Sequence, residues 1–312
     1  MILCIGPTPA EQRVMIFRRL MLNEVNRATT TLDGPAGKST NVAKALAALG
    51  ERPVATGFLG GTRGDRLRSA LEARGIGCDF SEAGQTRQCV TVIDELNGTQ
   101  TELVEESQPL ALADYDRLEA IVGNRIKECR AVIMSGTLTP GGPVDFYLRC
   151  TQIANSAGAL SVVDAHGAPL LEAIRARPGV VKPNRLELAS TLGKELDTEG
   201  LVISAMRELH ERGAQRVIVT AGTQPSLAFD GRAFWRISPP RVIPVNPIGS
   251  GDTFTAALVW RLLLGEDLGQ ASRWGTAAGA ANALTILAGE ISAAEVERLA
   301  KEVVVEQIGK FD

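Results

Sequence analysis

Along the chain, short β-branched apolar runs alternate with segments whose apolar residues recur every three or four positions. PVATGFLG, AVIMSG, LSVVDAH, GVVKPN and RVIVTAG read as strands, with helices such as NVAKALAALG and LVISAMRELHERG between them. That alternation predicts an α/β fold built on a doubly wound, mostly parallel sheet. Many of the strands end in small or polar residues: Ser135-Gly136, Asp164, Lys182 to Asn184, and Thr220 to Gly222. Ligands of open α/β sheets bind beyond the carboxyl ends of the strands, so these ends should line one cleft.

Two segments break the alternation. Residues of about 11–33 and 86–106 read as extended, the second with an Asn97-Gly98 turn signal between CVTVIDEL and TQTELVEE. Two such insertions can pair into a small sheet that sits over the cleft as a lid and offers an edge for a homodimer. The plainer expectation is a pair of surface hairpins.

Composition narrows the function. A net charge of -3 gives no whole-molecule attraction to nucleic acid or to an anionic membrane, so any anion must be held by a local site. Aromatic residues at 4% are too few for a base-stacking surface. The five cysteines are scattered and read as reduced structural thiols. No stretch of 18 apolar residues and no basic leader segment occurs, which predicts a cytoplasmic protein. With only His166 and His210, a histidine triad or metal site has little to draw on.

The most informative stretch is Asn246-Pro247-Ile248-Gly249-Ser250-Gly251-Asp252-Thr253-Phe254, ahead of the apolar helix TAALVWRLLL. Unpaired N–H groups at such a helix start, together with its dipole, hold an anion. Asp252 beside them can take a proton from an attacking hydroxyl while Gly249, Ser250 and Gly251 stabilise charge on a transferring phosphoryl group. An ordinary helix N-cap explains the same residues equally well from local sequence alone. A second turn, Gly34-Pro35-Ala36-Gly37-Lys38-Ser39-Thr40-Asn41, is not a P-loop, because the required glycine five positions before Gly37 is Leu32. It remains a turn whose Lys38 and Asn41 suit sugar hydroxyls or a phosphate.

On these residues the chain resembles the ribokinase-like sugar kinases of the PfkB family, and within it the phosphofructokinase and tagatose-6-phosphate kinase branch. GPAGKSTNVAKALAALG resembles the family's amino-terminal signature and NPIGSGDTFTAAL its carboxy-terminal one. GFLGGTRGDRLRSALEARGI, TRQCVTVID, GTQTEL, MSGTLTPGGPVDFY and VKPNRLEL fall where that branch has its own versions, so the likeness covers essentially the whole chain. The resemblance implies one ribokinase-like domain over residues 1–312 that phosphorylates a hydroxyl of a hexose phosphate with ATP and Mg2+. It implies that Asp252 is the base and Gly249, Ser250 and Gly251 the anion hole. Gly37, Lys38 and Asn41 match sugar-binding positions, and Arg87 matches an arginine on the substrate's own phosphate, a task its planar fork suits. Ser135, at its strand end, and Gln12 join this substrate-binding set. Asn184 and Glu187 fit an Asn-x-x-Glu motif that organises Mg2+ and its waters, and Lys182, Thr220, Gly222 and Asn282 fall where relatives contact ATP. A homodimer through the lid follows by the same resemblance.

The departures bear on the substrate. Thr8-Pro9-Ala10-Glu11-Gln12 stands where the branch usually reads Asn-Pro-Ala-Leu-Asp, so a neutral amide replaces a carboxylate unless Glu11 takes its place. Gly34, Ala36 and Ser39 replace the usual Asp, Gly and Gly, which crowds the turn. A paired Lys38 and Arg87 favours a phosphorylated acceptor. The alternatives are a kinase of an unphosphorylated sugar or nucleoside, and a non-catalytic sugar-phosphate sensor. A dehydrogenase needs a Gly-x-Gly-x-x-Gly turn after the first strand, where Gly6-Pro7-Thr8-Pro9 stands instead.

Overall fold

The first strand, Ile2–Ile5, is apolar and buried at all four positions, as a strand must be when helices cover both faces of its sheet. It pairs in parallel with Ala131–Ser135 on one side and Pro53–Thr56 on the other. Ile2 and Cys4 point into one core, Leu3 and Ile5 into the other, following the two-residue pleat. The structure, a computed structural model, describes residues 1–310.

The large sheet has ten strands in the order Val304–Lys310, Ala233–Ser238, Gln224–Phe229, Val217–Ala221, Val180–Val181, Leu160–Asp164, Ala131–Ser135, Ile2–Ile5, Pro53–Thr56 and Gly77–Cys78. From Val217–Ala221 onward every pairing is parallel, and the three pairings at the opposite edge are antiparallel. The three strands Gln224–Phe229, Ala233–Ser238 and Val304–Lys310 form an edge that helix-strand alternation does not predict. Strand order reverses between Ile2–Ile5 and Ala131–Ser135, so a crevice opens there at the carboxyl ends. Helices Lys38–Ala48, Ser250–Leu262, Leu268–Ala283 and Ala293–Ala300 cover one face of the sheet. Leu112–Arg125, Phe146–Ser156, Gly167–Ile174 and Glu199–Glu211 cover the other. Among the described residues, no helix is long and apolar enough to cross a membrane.

The two insertions form a separate four-stranded sheet, ordered Thr30–Ala36, Ala10–Phe17, Arg87–Asp94, Thr99–Val104. Its central pair is parallel and its outer pairs antiparallel. The alternating pattern of a half-buried strand is visible in Gln12, Val14 and Ile16, which point inward, while Arg13 is exposed. Val14, Ile16 and Ile93 pack on Ile286 and Leu287, which seats the small sheet against the large domain. Asn97 and Gly98 lie in a turn of four residues rather than two, held by the Asp94 carboxylate, which accepts from Leu96 N, Asn97 N and the Asn97 amide. The strand expected to end near residue 33 continues to Ala36 and delivers the chain directly into Gly37.

Candidate active site

Gly37 joins the small sheet to the helix Lys38–Ala48. Its φ of +106° is a conformation that L side chains avoid, and a Cβ there would lie 2.8 Å from Pro9 Cα, so glycine is required. The helix then presents Asn41 to the first turn of a second helix, at a residue 211 positions further along the chain. Asn41 Nδ2 donates to Asp252 Oδ2 at 2.8 Å. Asp252 is 6% exposed, in the first turn of the helix Ser250–Leu262. Gly249 caps that helix with a φ of +87°, and its side-chain direction is filled by the Ala288 methyl, 2.6 Å from where a Cβ would stand. Burial lifts the Asp252 carboxyl to about 6; Lys38 and the Asn41 bond pull it down, and Asp164 pushes it up. A base with that affinity is ionised at neutral pH and still accepts a proton well.

Behind Asp252 lies a cluster of charges. Lys182 Nζ is 3.0 Å from Asp164 Oδ2 and both are almost wholly buried. Thr255 Oγ1 donates to the same carboxylate at 3.0 Å. Burial alone would raise Asp164; Lys182, Lys38 and Thr255 outweigh it and hold the carboxyl below its ordinary range. Lys38 Nζ is 3.2 Å from Glu187 Oε1 and 3.9 Å from Asp164 Oδ1. Burial opposes the Lys38 charge, but Asp164, Glu187 and Asp252 together raise its pKa above the usual lysine value. Asp164, absent from the set expected from sequence, is thus the hub of the cluster. Its only signal was a carboxylate at the end of a parallel strand.

Asn184 and Glu187 form a reciprocal capping box: Asn184 Oδ1 accepts from Glu187 N, and Glu187 Oε2 accepts from Asn184 N, both at 2.8 Å. Only Glu187 Oε1 remains, and it faces Lys38. Two carboxylates converging on an ammonium show that this point accepts a cation, so the residues fit a magnesium ion carried on nucleotide phosphates, which needs only one or two protein carboxylates. Among the described residues, no group of three or more metal-ligating side chains exists. Asn184 also bridges to Thr220 at the end of its strand, and Gly222 turns away from that strand with a φ of +62°.

Two residues expected at the nucleotide sit deeper. Lys182 is 3% exposed, with its ammonium near Gly251 and spent on Asp164. Asn282 is completely buried: its Nδ2 donates to Ile248 O and Ser250 Oγ, and its Oδ1 accepts from Gly289 N. It braces the Gly249 turn from beneath, with no open face for a ligand.

The sugar-side residues are placed differently. Gln12 is 1% exposed; its Nε2 donates to Thr91 Oγ1 at 3.0 Å and its Oε1 has no partner. Asn41 Oδ1 and Ser135 Oγ are also buried without partners. Glu11 does not stand in for an aspartate, because it lies on the opposite face of the strand, paired with Arg63 and Arg66. Ser39 does not crowd the turn either; its hydroxyl packs where a Cβ of Gly6 would be. Arg87 donates twice to Thr8 O, at 3.3 and 3.1 Å, and once to Glu105 O. The expected pairing of Lys38 with Arg87 is not found: Lys38 belongs to the charge cluster, whereas Arg87 lines a shallow open cleft with Thr8, Phe58, Gln85, Ser107 and Thr139.

Several proteins of known structure share this fold. Phosphofructokinase-2 of Escherichia coli, whose structures include a complex with fructose-6-phosphate and a tetrameric inhibited form, is 27% identical over 96% of this chain and 98% of its own, with a TM-score of 0.86. A Thermotoga maritima protein described as a possible 1-phosphofructokinase shares the fold at a TM-score of 0.92, with 24% identity over 99% of this chain and 100% of its own. Ribokinase of Arabidopsis thaliana, complexed with ribose and ATP, shares it at 0.75, with 19% identity over 96% and 98%. The protein is a sugar kinase, a phosphotransferase with an alcohol acceptor. The profile of the pfkB family carbohydrate kinases matches residues 1–294, and the chain belongs to that family.

Proposed function

We propose that the protein transfers the terminal phosphoryl group of ATP to a hydroxyl of a hexose phosphate of the fructose 1-phosphate, fructose 6-phosphate or tagatose 6-phosphate type. The observation that carries this is the Asn41–Asp252 hydrogen bond, which ties the sugar turn to a buried carboxylate beside the Gly249–Gly251 turn. Asp252 takes the proton of the attacking hydroxyl, and the N–H groups at the start of its helix receive the charge of the transferring phosphoryl group. Lys38 swings from Glu187 and Asp164 to the phosphates as they arrive, which frees Glu187 Oε1 and Asp164 Oδ1, while Lys182 and Thr255 keep Asp164 Oδ2. Magnesium, brought on those phosphates, neutralises their charge when bound, and Glu187 and Asp164 would hold it through water. Thr220 and Gly222 flank the nucleotide.

On the acceptor side, Gln12 Oε1, Asn41 Oδ1 and Ser135 Oγ await hydroxyl donors, since a buried acceptor without a partner is costly until one arrives. Arg87 takes the acceptor's own phosphate in its cavity. The chain works as one kinase domain, with the small sheet as its lid and as the contact of a homodimer. Leu103, 57% exposed on the outer strand of that sheet, suits such a contact.

Because Lys38 is engaged elsewhere, Arg87 is the one cation among the described residues that lines this cleft. That favours testing an unphosphorylated acceptor as the second reading. Release of ADP from Mg-ATP is measured with fructose 6-phosphate, tagatose 6-phosphate, fructose 1-phosphate, free hexoses, ribose and nucleosides, beside an Asp252→Asn control. Turnover on a sugar phosphate that is lost in the control supports the proposal. Turnover on a free sugar alone replaces the acceptor, and silence with retained sugar-phosphate binding makes the protein a sensor.

A further inference from the structure

Lys44 lies on the helix Lys38–Ala48 one turn beyond Asn41, and only 4% of it is exposed. A buried ammonium is tolerated only when its N–H groups find acceptors. Lys44 Nζ donates to Pro35 O at 2.8 Å and to Ala288 O, and the Glu290 carboxylate, itself paired with Arg74, is 3.8 Å away. The two carbonyls come from the two segments that build the site. Pro35 precedes Gly37 in the sugar turn. Ala288 follows the helix Leu268–Ala283, and its methyl occupies the space beside Gly249. The next residue, Gly289, has no room for a side chain, since a Cβ would lie 2.9 Å from Lys44 Cε. Its N–H binds Asn282, which in turn holds Ile248 O and Ser250 Oγ.

We infer that Lys44 is a positioning residue for phosphoryl transfer: its ammonium clamps the Pro35 turn to the Ala288 loop. Through Ala288 and Asn282 the clamp fixes the Gly249–Gly251 N–H groups relative to Asn41 and the hydroxyl beside it. This rests on the kinase site proposed above. A cation suits the place because two backbone carbonyls converge on one buried point, and an apolar side chain would leave both unpaired. Burial, reinforced by Arg74 and opposed by Glu290 and Asp252, brings the Lys44 amine down to about 8. Those three are the charged groups that face it.

The test compares Lys44→Met, Lys44→Arg and Asp252→Asn with the unaltered enzyme. For Lys44→Met, kcat should fall at least about 10-fold, while KM for ATP and for the sugar phosphate stay within about threefold. Lys44→Arg should recover most of kcat, since its fork can donate to both carbonyls. A residue that only stabilises the fold would lower the unfolding midpoint and leave kcat of the folded enzyme intact; that result overturns the inference. If Lys44→Met does not fold, the alkaline profiles decide. The unaltered enzyme should lose kcat as pH rises through about 8, and Lys44→Arg should not. Parallel profiles overturn the clamp. Failure of the underlying site shows separately, as undiminished turnover by Asp252→Asn.

Discussion

The two halves of the cleft are finished to different degrees. On the transfer side every charge has a partner: Lys182 and Thr255 on Asp164, Lys38 on Glu187, Asn41 on Asp252, Asn282 under the turn. On the acceptor side, Gln12, Asn41 and Ser135 each keep a buried oxygen with nothing bound to it. Apart from Lys38, the first half is set before any ligand arrives, as electrostatic stabilisation requires. The second is complementary to hydroxyl donors that the protein does not itself supply. In the function proposed above, the chain fixes the chemistry and leaves specificity to the ligand that completes the hydrogen bonds.

The sharpest way to break this contrast is at the base. Asp252→Asn should lower kcat by at least about 10²-fold with ATP affinity nearly unchanged, measured by ADP release and nucleotide titration. The same carboxyl sets an acid limb. Because it must be ionised to act, kcat/KM should fall as pH drops through about 6, and a flat profile down to pH 5 would remove Asp252 from the role of base. Linkage runs the other way. A carboxyl raised by burial costs the fold nothing below its unfolded pKa near 3.8 and its full penalty above about 6. Asp252→Asn should thus melt higher than the parent at pH 8 and equal to it near pH 3.5.

Next in size is Gly249→Ala. The left-handed conformation and the Ala288 methyl both oppose a Cβ, so about 1–3 kcal/mol of stability and most of kcat should go, read by thermal melting and turnover. On the open side the effects should be on binding. Arg87→Ala should raise KM for a sugar phosphate about 10-fold, roughly 1.4 kcal/mol, and leave KM for a free sugar alone. Smallest is Gln12→Asp, which supplies a charged acceptor where Oε1 is now free. A gain of about 1 kcal/mol in sugar affinity is expected, and weaker binding would show that the neutral amide is matched to this substrate.

Legibility followed the same division. Apolar runs announced the parallel strands because burial on both faces leaves no polar positions, and Gly249 to Asp252 announced the helix start. The antiparallel edge beyond Val217–Ala221 was not visible, since Gln224–Phe229 and Ala233–Ser238 follow by local turns like those of any surface ribbon and Val304–Lys310 returns to them only after three helices. Within the site, single residues could be matched but not their partners. Sequence placed Lys38 beside Arg87 because both suit phosphate; the fold turns Lys38 towards Asp164 and Glu187, a contact 149 residues away in the case of Glu187. Asp164 was marked only as a strand end lining the cleft and Lys44 not at all, because a strand-end carboxylate and a helical lysine carry no local mark of burial.

The tie between Asn41 and Asp252 also has a consequence for how the protein is made. Its two ends are separated by 211 residues, and the first strand is flanked in the sheet by Ala131–Ser135, which is synthesised much later. Contacts of such long sequence separation form late, after large loops have been closed. On the ribosome, the turn at Gly37 and Asn41 emerges long before Asp252 exists. A nascent or truncated chain can therefore be well advanced in folding and still have no active site at all.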